Sequence, residues 1–338
     1  MQNAELKRNI PVQTIVPPAF RCYNVGAKNN STPLLLKATA ERRVFFSERR
    51  MVMEELDLLK DLHIHDFSQT KEQLEVIGHL GVRRFANYAI PLRECTFQEV
   101  CDRYALDKKL RQSVFSIIQE IEIDLNTKIT SHLTRTYGPL CYQNIFAWCQ
   151  SQGSNSYLKY DSIDRRIIDQ EQKQLINTIT RLPNREKADD KSLLELSQFI
   201  SLGELSHILK LMSKRNRKTI AENYGCSAHE LISWLDCIIL YRNCCCHNGD
   251  LIDICIETRP PTPRFYADCL FRLPNTQTTT NRFALGCVVL LQLARTVNVD
   301  PSEISTLSQD ILNLVHGSIS LEAYGFKNIA SFNSAFDR

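Results

Sequence analysis

The chain has 338 residues, 43% hydrophobic and 23% charged, and its 41 basic and 38 acidic side chains leave a formal net charge of +3. This is the balance of a globular protein long enough to bury a large core. It excludes a polyelectrolyte tail or attachment to nucleic acid by bulk charge, so any basic surface has to be local. The longest apolar stretch, Phe283 to Ala294, is about half of a membrane span, and the opening Met1-Gln2-Asn3-Ala4-Glu5-Leu6-Lys7-Arg8 has no secretory pattern. The 13 cysteines, odd in number and scattered, therefore read as reduced thiols of a cytoplasmic protein without a membrane partner.

Residues 1–48, with Pro11, Pro17, Pro18, Pro33 and the run Asn29-Asn30-Ser31-Thr32, read as an irregular arm, and 49–338 as a single helical domain. Leu56, Leu59 and Leu62 recur at helix spacing, and Ser68 is placed to cap a helix carrying Leu74, Ile77 and Leu80. The aromatic and basic segment Val82 to Arg93 is stopped by Pro91, with Phe85 and Tyr88 read as core rather than as surfaces for stacking bases. Thr96 and Glu99 have the spacing of a capping box for the next helix. Between Tyr104 and Tyr137 the apolar positions Leu106, Leu110, Val114, Ile117, Ile121, Leu125, Ile129 and Leu133 step by three and four until Gly138-Pro139. No run of alternating β-branched residues rivals this helix, so the fold class is all-α, a helical bundle.

Residues 151–191 are polar and charged and read as a solvent-facing insertion within the domain. Ser192 opens a helix with Leu194 and Phe199. Ser201-Leu202-Gly203 interrupts it before Leu205, Ile208 and Leu211. Ser213 caps the cluster Lys214-Arg215-Asn216-Arg217-Lys218, and Ser227 caps a helix with Leu231, Trp234, Leu235 and Ile238. After the extended connector Arg259-Pro260-Pro261-Thr262-Pro263, two helices around Arg282 to Val297 and Pro301 to Leu314 complete the fold.

The helix capped by Ser227 ends in Tyr241-Arg242-Asn243-Cys244-Cys245-Cys246-His247-Asn248-Gly249. A guanidinium, a carboxamide and an imidazole in so short a segment are the groups that metal-free RNA cleavage uses: a proton carrier near neutral pH and a fixed cation for the phosphorus oxygens. Asn243 and His247, four apart, share a helical face. Arg242 stands roughly 140° from His247 on an ideal helix, so either the arginine reaches across or the helix ends between them; Asn248-Gly249, a stop signal, favours the ending. His247 would then lie at the negative end of the helix. The three cysteines do not have zinc-site spacing, since consecutive side chains leave a helix in different directions and Cys255 has no mate.

Several blocks carry a likeness in order from about Glu54 to Phe332. Arg84-Phe85-Ala86-Asn87-Tyr88 with Pro91-Leu92-Arg93 is similar to a "Y-R-L-S-G-Y…P-F-R" pattern, and Tyr104 to Arg111 with Ile121-Glu122 to "Y-x-F-D-R-x-L-R…I-E". Ser201 to Ser206 is similar to "S-F-G-x-L-S", Trp234-Leu235 with Tyr241 to Asn248 to "W-L…L-R-N-x-x-x-H-x", and Tyr324-Gly325-Phe326 to "M-G-F-P". Together they resemble the Abi family of bacterial abortive-infection, bacteriophage-resistance proteins, the AbiD and AbiF group, within the HEPN superfamily of helical ribonucleases. The chain departs from the pattern at Asn126, where an arginine is common, and at Leu202 and Lys327.

The resemblance implies an HEPN-like bundle with additional N- and C-terminal helices, and a metal-independent, cofactor-free endoribonuclease of anti-phage defence. The ribose 2′-hydroxyl would attack the neighbouring phosphate, leaving a 2′,3′-cyclic phosphate. His247 would transfer the proton, Arg242 stabilise the phosphorane and Asn243 orient the imidazole or the phosphate, with Glu122 supporting Arg242. Two such motifs facing one cleft imply a homodimer. Lys214, Arg215, Arg217 and Lys218, with Lys108 and Arg111, are the candidate RNA-backbone contacts. The alternative is a module that cuts nothing and holds a small structured noncoding RNA or a protein partner.

Overall fold

A computed structural model describes residues 61–149, 191–273, 278–315 and 319–337, with Leu56, Leu59 and a few further isolated positions. All lie in the compact unit Leu36–Arg338. The arm 1–48 and almost all of the insertion 151–191 fall outside the described residues.

Leu56 and Leu59 are helical, and the helices with described bounds begin with α1 (Lys71–Leu80) and α2 (Val82–Ala89), followed by α3 (Phe97–Tyr137). The cap of α1 is Thr70, not Ser68: Thr70 and Gln73 form a reciprocal capping box, while the Ser68 backbone N–H donates to Gln73 Oε1. Thr96 and Glu99 cap α3 as expected. The helix they start is continuous with the Tyr104 to Tyr137 pattern, giving 41 residues, or about 60 Å at 1.5 Å per residue. Gly138, at φ 91°, ends it. Two-residue strands β1 (His63–Ile64) and β2 (Glu94–Cys95) pair in parallel, too short to leave a pattern in sequence.

After the insertion come α4 (Leu193–Leu196), α5 (Leu202–Leu211), α6 (Lys214–Glu222) and α7 (Ala228–Cys246). Ser192, Ser213 and Ser227 are N-cap residues as expected, and Ser201, read in the sequence as part of a break, caps α5. The chain ends with α8 (Phe283–Thr296), α9 (Pro301–Asn313) and α10 (Ile329–Phe336). The short last helix was not expected; it packs Phe332 onto Phe326.

Two apolar cores share α3. Phe97 and Val100 join Leu59, Ile77, Phe85 and Tyr88 in a small core. Leu110 through Leu133 enter a large one with α5, α7, α8 and α9. Phe85 and Tyr88 have no exposed surface, which makes them core. Helix α8 is buried over nearly its whole circumference, as an all-round apolar sequence requires.

Gly286 on α8 lies where the Tyr241 ring of α7 presses against the helix backbone, and an added Cβ would overlap that ring. Gly203 on α5 meets nothing within 4 Å. Gly286→Ala is therefore expected to lower unfolding free energy by about 1–3 kcal/mol, the cost of overpacking. Gly203→Ala should raise it by roughly 0.5 kcal/mol through helix propensity. Urea titration of the two variants checks the contrast.

Candidate functional site

Helix α7 packs its Leu231, Trp234, Leu235, Ile238 and Tyr241 side into the large core between α3 and α8. It runs back along α3. Before its start, the Tyr224 hydroxyl donates to Asp124 (2.6 Å) and the Lys128 ammonium lies over the Tyr224 ring (4.4 Å). Beyond its end, the chain reaches Asp107 and Arg111. Seventeen residues of α3, roughly 26 Å, separate the two attachments, which matches a 19-residue helix.

The helix ends where Asn248-Gly249 predicts. Gly249 N–H donates to Cys244 O (2.8 Å) and Asn248 N–H to Cys245 O (3.4 Å), with Asn248 at φ 53°. This is the paired bonding of a Schellman cap. Asparagine tolerates the left-handed conformation better than most residues. Gly249 is needed for another reason: a Cβ there would lie 2.7 Å from Cys244 Sγ. His247 is the C-cap residue and its side chain is exposed, while Arg242 and Asn243, one turn earlier, are half-exposed. Their side chains make no hydrogen bond or ion pair with another described residue. The three cysteines point different ways: Cys244 is buried, Cys245 half-buried and Cys246 exposed. Burial pushes the Cys245 thiol up to about 12 and raises Cys244 as well, so both stay protonated near neutral pH.

A buried polar network fixes this turn from behind. Arg103, Asp107 and Arg111 stand four residues apart on one stripe of α3, each no more than 5% exposed. The Asp107 carboxylate pairs with Arg111 and accepts from the Tyr88 hydroxyl (2.6 Å) and the backbone N–H of Ile252 (3.0 Å) and Leu251 (3.4 Å). Arg111 Nη1 donates to Gly249 O (2.8 Å) and to Tyr88 Oη (2.9 Å). Arg103 binds Asp253 (2.6 Å) and the Tyr324 hydroxyl (2.9 Å). Both carbonyl and amide groups of the segment just after His247 are thus held by side chains of α3.

Three carboxylates, Asp107, Asp250 and Asp253, share the network with two guanidiniums. Burial raises the Asp107 carboxyl against the pull of Arg111. Asp250, partly reached by solvent yet crowded by protein on most sides, is raised well above the usual carboxylate range by desolvation, then by Asp253 and Asp107.

Two of the sequence expectations need correcting here. Glu122 does not meet Arg242; its Oε1 accepts from the backbone N–H of Leu202 (2.7 Å) and so closes the start of α5. Arg111 and Arg217 are buried rather than exposed. Arg111 commits its Nη1 to the network, and Arg217, 3% exposed, donates to Lys210 O (3.3 Å).

Of the basic cluster, Lys214, Arg215 and Lys218 are exposed, with Lys218 3.7 Å from Glu222. It lies far from the motif, because Asn216 at its centre is held by Tyr137 and by His132 Nε2 (3.0 Å), 21 residues along α3 from Arg111 and so roughly 30 Å away. Lys108 is exposed and lies at the motif end. Asn126 makes a structural contact, donating to Ser197 O (2.7 Å).

Fold and site define an all-helical protein that presents an R-N-x-x-x-H turn on a rigid, buried polar support. The chain belongs to the Abi-like protein family, whose model matches residues 75–253, more than half of its 338. Membership associates it with abortive infection, the phage resistance for which that family is named. Comparison with curated proteins and with solved structures gives no significant match. No described helix is long and apolar enough to cross a membrane.

Removing Asp107 strands Arg111 in the interior, so Asp107→Ala is expected to cost about 3–5 kcal/mol of unfolding free energy, measured by urea denaturation. Asp250 acts in the opposite sense. Its folded pKa lies above its unfolded one, so the native state binds more protons and stability falls as pH rises past the unfolded value. Asp250→Asn should melt above the parent protein at pH 8 and lose that advantage toward pH 4. A parallel offset at every pH would refute the assignment.

Proposed function

We propose that the protein is a metal-independent endoribonuclease of abortive infection that works as a homodimer, with Arg242, Asn243 and His247 as its reacting groups. The observation that carries this reading is the contrast at the end of α7. The backbone around His247 is fixed by buried bonds, while the side chains of the three motif residues are left free toward solvent. Groups positioned but unpaired are what a substrate phosphate needs.

In the reaction, a 2′-oxygen attacks phosphorus as its proton passes to the neutral imidazole of one protomer. The bond to the 5′-oxygen breaks as the imidazolium of the other protomer supplies that oxygen with a proton. Arg242 holds charge on the nonbridging oxygens with planar donors, and Asn243 orients phosphate or imidazole. The products are a 2′,3′-cyclic phosphate and a 5′-hydroxyl, and DNA, lacking the attacking group, is spared.

A second reading rests on the exposed Lys214, Arg215 and Lys218, remote from the motif: a surface that holds a small structured noncoding RNA without cleavage.

Purified protein is expected to cut RNA to cyclic-phosphate ends in the presence of chelator. His247→Ala and Arg242→Ala should each slow cutting by at least about 100-fold without a change in melting temperature, and should relieve any growth arrest on expression in bacteria. Dilution below the dimer dissociation constant should lower specific activity. RNA retention with no new 5′-hydroxyl ends, equal in parent and His247→Ala, would favour the second reading.

A further inference from the structure

Beside the motif turn lies a cleft of about 160 Å³ that no step above uses, lined by Lys108, Arg111, Gln112 and Phe115 of α3 and by Cys245, Cys246 and Asn248. At about 30 Å³ per water it has room for roughly five waters. Its lining is mixed: α3 supplies positive charge, a carboxamide and an aromatic ring, and the end of α7 supplies two thiols and the Asn248 amide.

Three features point to a ligand. Arg111 is 3% exposed and its Nη1 serves the Asp107 network, yet its Nη2 is buried and makes no hydrogen bond with any described residue. A charged donor without an acceptor is rare in a protein interior, and an oxygen entering through the cleft would satisfy it. Lys108, one turn from Arg111 on α3, is exposed and makes no ion pair among the described residues. Phe115, one turn beyond Arg111, is half-exposed and offers a flat apolar face of the kind on which nucleobases stack. No acidic residue lines the cleft.

We propose that this cleft is a ribonucleotide subsite. It would hold a phosphate of the RNA strand next to the scissile linkage at Lys108, Gln112 and the spare nitrogen of Arg111, with the attached base against Phe115. Asn248 borders the cleft and directly follows His247, so one strand entering the cleft passes the imidazole. The place of this subsite beside a scissile linkage rests on the ribonuclease reading, whereas the binding itself does not require cleavage.

The test is binding of uridine 3′-monophosphate, inorganic phosphate and uridine to the full-length protein, followed by titration calorimetry and by NMR line broadening. The monophosphate should bind saturably, inorganic phosphate more weakly, and uridine not at all. Lys108→Glu should weaken the monophosphate at least about tenfold, as loss of one charge-assisted contact would. Phe115→Ala should weaken the monophosphate and leave inorganic phosphate as in the parent.

Equal binding by parent and Lys108→Glu, or no binding of either phosphate, overturns the proposal. Where Phe115→Ala loses stability, Gln112→Ala, an exposed change, replaces it and should weaken both the monophosphate and inorganic phosphate. The two readings fail separately. Binding at the cleft without cyclic-phosphate products removes the nuclease and keeps the subsite. Cleavage with unchanged KM in Lys108→Glu and no nucleotide binding keeps the nuclease and removes the subsite.

Discussion

A carboxylate with no exposed surface, on a helix whose neighbouring positions are Leu106 and Leu110, is the constraint on which the site depends. Asp107 would not be tolerated there as an isolated charge, because desolvation of an unpaired carboxylate costs several kcal/mol. It is tolerated because four partners converge on it: Arg111 from its own helix, Tyr88 from α2, and the amides of Leu251 and Ile252. Those amides follow the motif by a few residues. Satisfying one buried charge therefore also determines where the chain must go on leaving α7, and the direction in which His247 faces.

Support and chemistry are consequently divided between two sides of the same turn. The bundle side is held by a network of hydrogen bonds and keeps its thiols in protonated form. The solvent side carries the imidazole, the carboxamide and the guanidinium, free of internal partners among the described residues. An RNA touching both this turn and the Lys214 cluster would have to run along α3 for much of its length, so contacts at the two ends need not serve one event. The family match covers α7, α3 and the network segment alike.

Much of the bundle was readable from the chain. Thr96, Ser192, Ser213 and Ser227 located four of the helix starts, and the three-four stepping of leucines and isoleucines located α3, since caps and amphipathic periodicity are local signals. Thr70 was missed because Ser68 is as good a cap by type, and only the Gln73 backbone N–H donating to Thr70 Oγ1 decides between them. The motif was legible as a cluster of residue types. Its support was not: Arg103, Asp107 and Arg111 look like a solvated charged edge until their four-residue spacing is laid over the stripe holding Val100 and Val114. Glu122 was assigned to the wrong partner for a related reason, as its acceptor role at Leu202 spans 80 positions of sequence.

Tyr88 gives this arrangement a further property. It belongs to the small core built from α1, α2 and the first turns of α3, yet its hydroxyl is bonded into the support of the motif. A chain shortened to begin within α3 would retain every residue of the R-N-x-x-x-H stretch and lose a donor that Asp107 relies on. The segment ahead of α3 is thus a structural prerequisite for the posture of His247, and a fragment defined by the motif alone would be an incomplete unit.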